Sequence, residues 1–178
     1  MLYWHFRNFQ CMFLSLFKKP MAPTEVVTKS FWANVFDADW FHSIQAGRFF
    51  TYTDAARWEL AARIGFYKYV IKNKWVIILG GQKIIYRRPV KIFRKFTITM
   101  QITGWDDKWM YAAHAFRQSG QVCCVSFTKI GLRARGSLFS PVEALKMMGH
   151  NQVTPPAWVI KHFQEDLETL KLADQALI

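Results

Sequence analysis

Residues 37–65 read DADWFHSIQAGRFFTYTDAARWELAARIG, and a change of period inside this stretch decides how the rest of the chain is read. Its first residues form a polar and aromatic loop. From Ala46 onward small and apolar residues recur at three- and four-residue steps: Ala46, Phe49, Phe50, Thr53, Ala56, Leu60, Ala61 and Ile64. Arg48, Asp54, Glu59 and Arg63 lie away from that stripe. The spacing predicts a helix over residues 46–64, ended by Gly65, the residue best suited to the left-handed turn past a helix terminus. Residues 66–72 have room for a second, short helix.

On either side the period is two. Val27, Phe31, Ala33 and Val35 alternate with Thr28, Ser30 and Asn34, which reads as a strand. Beyond Lys74, residues 76–79 and 84–86 flank Gly80-Gly81, one long strand with a bend. Phe96, Ile98, Met100 and Ile102 alternate with threonines and Gln101, and residues 109–116 and 122–130 continue the meander. Residues 104–107 and Ser119-Gly120 read as its turns. The order is strand, long helix, four strands, an α+β arrangement.

The 178 residues, half of them apolar, suffice for one domain that buries a core without disulfides or metal. We divide the chain into an apolar and aromatic segment over residues 1–23, a domain over 24–149, and a terminal segment over 150–178. In the last, Val159, Phe163, Leu167 and Leu170 follow Pro155-Pro156 at helical spacing, an amphipathic helix. The first segment has Phe6, Phe9, Phe13, Leu16 and Phe17 on one side, but His5, Arg7, Asn8 and Gln10 interrupt it well short of a membrane span. Two readings stay open for residues 1–20: peripheral contact with a membrane, or packing on the domain or a second subunit.

A net charge of +12 calls for anionic partners. Nucleic acid is not expected, because neither zinc-finger spacing nor an aromatic RNA-binding signature is present. Cys11, Cys123 and Cys124 cannot build a disulfide framework, which fits a reduced, cytoplasmic setting, peripheral to a membrane if residues 1–20 make that contact.

The chemistry points back to the opening stretch. A carboxylate just before a long helix lies near backbone N–H groups that have no intrahelical partner. Such donors, with the helix dipole behind them, can polarise a carbonyl and hold the oxyanion formed on attack. A carboxylate beside them could activate water or attack directly.

The Asp37-Ala-Asp39 pair, the loop to Phe49, and Asp54 to Arg57 on the helix together resemble the motif of 4-hydroxybenzoyl-CoA thioesterase-like proteins of the hotdog-fold superfamily. Gly81-Gln82, Tyr86-Arg87-Arg88-Pro89, Phe93 and the Gly104-Trp105-Asp106 turn are similar to the branch of thioesterase-superfamily-member-6-like proteins, and the resemblance covers residues 26–149. It implies a hotdog fold, in which a curved antiparallel sheet wraps one long helix, here with extra terminal helical segments.

Residue by residue, the resemblance puts Asp39 on the catalytic carboxylate position. Ser43 takes the family's His position, Gln45 and Ala46 its two Asn positions, and Phe49 its Tyr position. His42 stands one residue before the missing His. His42, Ser43, Gln45, Gly47 and Phe49 are therefore the expected substrate-binding residues, and Asp54 and Arg57 an ion pair on one helix face. Arg87, Arg88, Arg94, Lys95, Arg133 and Arg135 are the candidates for the phosphates of coenzyme A. The implied protein is an acyl-CoA thioesterase, a homodimer or dimer of dimers with an acyl tunnel between helix and sheet. It needs no metal and no cofactor beyond coenzyme A as part of the substrate. The alternative, given the replaced His and Asn positions, is a non-catalytic or weakly active protein that binds acyl groups or lipid.

Overall fold

A computed structural model describes residues 2–15, 17–166 and 168–170. Its elements are α1 (Leu2–Ser15), β1 (Val27–Trp32), α2 (Ala46–Arg63), α3 (Phe66–Asn73), β2 (Val76–Tyr86), β3 (Lys95–Trp105), β4 (Met110–Gln118), β5 (Gln121–Ala134), β6 (Ser137–Phe139), α4 (Pro141–Met147) and α5 (Ala157–Ile160). The strands form one antiparallel sheet in the order β1-β3-β4-β5-β2, with the short β6 on β5. The sheet curls around α2, which is the hotdog architecture.

Alternation decides the inner face. Phe96, Ile98, Met100 and Ile102 of β3 are buried, as are Met110, Ala112 and Phe116 of β4. At one end of this face Phe49 and Tyr52 of α2 meet Phe116 and Phe96 edge to face, with centroids 5.1 and 4.9 Å apart. Burial of each such ring contributes roughly 1.5–3 kcal/mol. The helix stripe is wider than its spacing suggests, because Tyr52 and Glu59 are also buried. Glu59 was expected away from the stripe. It is buried because α1 packs on α2, and Lys18, Lys29 and Arg63 surround its carboxylate.

Three segments differ from their periodicity, the first being β1, which ends at Trp32 and leaves Val35 in a 3-10 turn (Val35–Asp37). β3 runs through Gly104 to Trp105 with a register shift, so the turn falls at residues 106–108, where Asp106 Oδ1 accepts from the amides of Lys108 and Trp109 at 2.8 and 2.7 Å. Gly104 has no room for a side chain, since a Cβ there would lie 2.6 Å from the backbone of Pro155. The terminal segment is extended to Pro156, then forms α5 and a 3-10 turn (Lys161–Phe163) in place of one continuous helix. Val159 and Phe163, four residues apart on one face of this helical stretch, pack with Tyr111 and Phe127 on the outer face of the sheet. Leu167 lies outside the described residues.

In α1, Cys11 and Ser15 are buried while Phe9 and Phe13 are exposed, as is Phe17 just beyond it. One face thus packs on the domain and an aromatic face points away from it. The side chains of Phe6 and Leu16 lie outside the described residues. Among the described residues no helix is long and apolar enough to cross a membrane.

Candidate active site

The loop between β1 and α2 folds back on itself. Ala38 and Ile44 form an antiparallel bridge, the Asp39 amide donates to Ser43 O at 2.7 Å, and His42 turns the tip with φ +56°. Asp39 sits at the neck, half-buried, and its Oδ1 accepts from the amides of Phe41 (2.8 Å) and Ser43 (3.0 Å). Oδ2 accepts no hydrogen bond among the described residues. Asp37 is fully buried: its Oδ2 accepts from Tyr52 Oη at 2.7 Å and the Asn34 amide at 3.1 Å, and its Oδ1 has no partner among the described residues. The loop thus offers one carboxylate held by its own backbone and one sealed inside.

The start of α2 fits the expected oxyanion site in one respect. No side chain caps it, and the space beside Gly47 is open. Gln45 is exposed and its amide donates to Asp37 O at 2.8 Å. His42 is exposed and Ser43 buried. Phe49 is buried between Tyr86 and Phe116, which makes it part of the ring cluster.

The six cations expected for coenzyme A do not form one patch. Val76 pairs with Arg133 and Tyr86 with Cys124, so the length of β2, about 30 Å, separates Arg133 and Arg135 from Arg87 and Arg88. Arg87, Arg88 and Arg94 belong to the β2–β3 connection and Lys95 opens β3; the connection lies against the Asp39 loop, where Ile44 N donates to Val90 O (2.8 Å) and Ile92 N to His42 O (3.1 Å).

A cavity of about 350 Å³ lies between α2 and the sheet, walled by Leu60, Ile64, Leu79, Ile102, Met110 and Ile130. This matches the expected tunnel in its walls but not in its position. Its polar end is Asp54 and Arg57, about 12 Å along α2 from the helix start, and neither Asp39 nor the five expected substrate contacts line it.

Asp54 and Arg57 form the expected ion pair, and Arg57 also donates to Thr128 Oγ1 at 3.2 Å. Burial lowers the guanidinium pKa to about 10. Beside it runs a polar row the strand pattern had concealed: Gln82 pairs with Thr128, and His114 with Ser126, across neighbouring strands. Gln82 Nε2 donates to Thr53 Oγ1 at 2.8 Å, and Ser126 Oγ lies 3.4 Å from His114 Nδ1. His114 Nε2 is buried without a partner among the described residues. Burial first, and the charge of Arg57 second, lower its pKa to about 3, so the ring is neutral near pH 7. Polar side chains at the inward positions 114, 126 and 128 were the available signal, but each looks unremarkable within its own strand.

The family model of the thioesterase-like superfamily matches residues 34–150, and the chain belongs to that superfamily. Over 122 residues it is 25% identical to Probable thioesterase YBR096W of Saccharomyces cerevisiae, covering 66% of this chain and 53% of the yeast protein. The chain spans about half the length of the curated relatives it matches. The YbaW Probable Thioesterase from Escherichia coli superposes with a TM-score of 0.64 at 15% identity, over 71% of this chain and 98% of that one. Slr0204, a 1,4-dihydroxy-2-naphthoyl-CoA thioesterase from Synechocystis, gives 0.62 at 12%, over 70% and 95%. At these identities the two structures establish the shared fold.

Proposed function

We propose that the chain hydrolyses an acyl-CoA thioester to free acid and coenzyme A, with Asp39 as general base or nucleophile and the first-turn amides of α2 as the oxyanion site. One observation carries this reading: in a member of this superfamily, the half-buried residue 39 carboxylate lies in the loop that leads into the uncapped start of α2, and the connection that carries Arg87, Arg88 and Arg94 is hydrogen-bonded to that loop. As a base, Asp39 takes a proton from the water that adds to the carbonyl carbon. Collapse then breaks the C–S bond, and the proton passes to the leaving thiolate. His42, Ser43, Gln45 and Gly47 face the thioester in this reading, with Phe49 behind them.

A homodimer, alone or as half of a dimer of dimers, completes the site. β2 is an edge strand with Val76, Ile77, Leu79, Ile85 and Tyr86 exposed, a surface that invites strand pairing. Antiparallel pairing of two β2 edges brings the start of one strand to the end of the other. Arg133 and Arg135 of the partner subunit would then join Arg87 and Arg88 around one coenzyme A. The exposed Phe9, Phe13 and Phe17 support peripheral membrane contact through residues 1–20.

The alternative is a non-catalytic acyl- or lipid-binding protein, favoured by one observation: Asp39 Oδ1 is occupied by two amides and the residue lies outside the cavity lining. Turnover of short, medium and long acyl-CoAs by the full chain, beside Asp39→Asn, decides between them. Asn keeps the acceptor for the two amides and removes the base, so kcat should fall by about a hundredfold or more with Tm little changed. Full turnover by Asp39→Asn would remove Asp39 from the mechanism. No turnover by either protein would favour binding.

A further inference from the structure

The ends of β1, β2 and β4 and the start of β3 meet at one end of the curled sheet, where the loops over residues 33–45 and 87–94 are stitched together. Phe93 N donates to Ala33 O at 2.8 Å, Lys91 Nζ to Phe41 O at 3.3 Å, and Gln118 bonds both the amide and the carbonyl of Lys91 at 2.9 and 3.0 Å. These bonds tie the two loops together, yet large aromatic side chains on them face solvent. Trp40 is 96% exposed, Phe41 79%, Trp32 60% and Phe93 57%. Phe93 is held at φ +57°, a conformation unfavourable for a bulky residue, with its ring still outside.

Around these rings stand Arg87, Arg88, Lys91, Arg94 and Lys95, all exposed, and none of the five is in an ion pair among the described residues. The two loops contain two carboxylates, the buried Asp37 and the loop-bound Asp39. Projecting Trp and Phe rings within a collar of exposed cations that lack a carboxylate partner are what an anionic bilayer surface accommodates: rings enter the headgroup region while the cations meet lipid phosphates and carboxylates. A twofold contact with a second copy would set the five cations of each against the other's.

We propose that this aromatic and basic end of the molecule docks on anionic membrane surfaces through Trp40, Phe41, Phe93 and Trp32. The contact is separate from the aromatic face of α1 and requires no turnover. It would bring the Asp39 loop against the lipid.

Co-sedimentation of the full chain with vesicles of phosphatidylcholine, alone or with phosphatidylserine, tests this. The protein should partition onto the serine-containing vesicles, less with added salt, and weakly onto phosphatidylcholine alone. Trp40→Ser with Phe41→Ser should lower partitioning by about tenfold or more, and Phe13→Ser with Phe17→Ser should retain this charge-dependent binding. Both rings of the first variant are exposed, and circular dichroism with a melting curve checks its fold. The proposal is overturned by wild-type partitioning in the Trp40/Phe41 variant, by equal binding to the two vesicle types, or by no binding at all. A change in oligomer size in that variant with lipid binding intact would give the surface to a second copy. These readouts are independent of hydrolysis.

Discussion

The carboxylate of Glu59, 1% exposed near the carboxyl end of α2, lies 2.7 Å from the ammonium of Lys29 on β1. Lys18, just beyond α1, reaches the other carboxylate oxygen at 2.5 Å. One buried acid therefore ties the amino-terminal helix and the first strand to the central helix. Burial alone would raise its pKa, but hydrogen bonds and charge from Lys18 and Lys29 outweigh it and hold the carboxyl below its ordinary value.

Removing that acid leaves three cations facing one another. Glu59→Gln should lower unfolding stability by about 2–4 kcal/mol, below the upper range for a broken buried pair because Lys18 can turn to water. Urea denaturation measures the loss. The folded pKa is depressed, so this contribution is present above the unfolded value of 4.5 and lost as pH falls below it. Glu59→Gln should therefore flatten stability against pH below that value.

His114 gives a second, separable pH dependence. Its folded pKa of about 3 lies below the unfolded 6.5, so the unfolded chain binds the extra proton between those values. Stability from this group is complete above 6.5 and falls on acidification, by at most about 1.4 kcal/mol per pH unit. His114→Gln should flatten the curve between pH 6.5 and 4, measured by denaturant titration at each pH. An unchanged slope would show that the ring takes its proton inside the fold.

Trp109 lies flat against two backbones. A Cβ on Gly131 would stand 2.7 Å from the indole Cζ3, and one on Gly80 closer still. Gly80→Ala and Gly131→Ala should each lower stability by about 1–3 kcal/mol through overpacking. In a Trp109→Ala background the added methyl group has space, so each substitution should cost much less, a coupling that a double-mutant cycle of unfolding energies reads directly.

The cavity makes a prediction about chain length. Ala61 is one of its walls, and Ala61→Leu narrows it. If acyl chains lie there, kcat/KM for the longest acyl-CoAs should drop by about tenfold while short chains are turned over as before. A uniform change across chain lengths would place the acyl group elsewhere.

Period-two alternation through residues 96–102 and the three-and-four spacing from Ala46 to Ile64 lie in the chain itself, because Cβ directions along a strand or helix follow from local geometry. From these the helix, the strands and the carboxylate before α2 were legible, and the resemblance supplied how the sheet wraps. Burial of Glu59 was not, because it depends on Lys18 and Lys29, 41 and 30 residues away. Nor was the row of His114, Ser126 and Thr128, which exists only once β4 and β5 pair in one register. The split of the arginines, the offset between Asp39 and the cavity, and the stitching of the 33–45 and 87–94 loops are likewise decided by the tertiary fold. Local period sets which way a side chain faces; which distant side chain it then meets is set by the packing of whole elements, which no local pattern encodes.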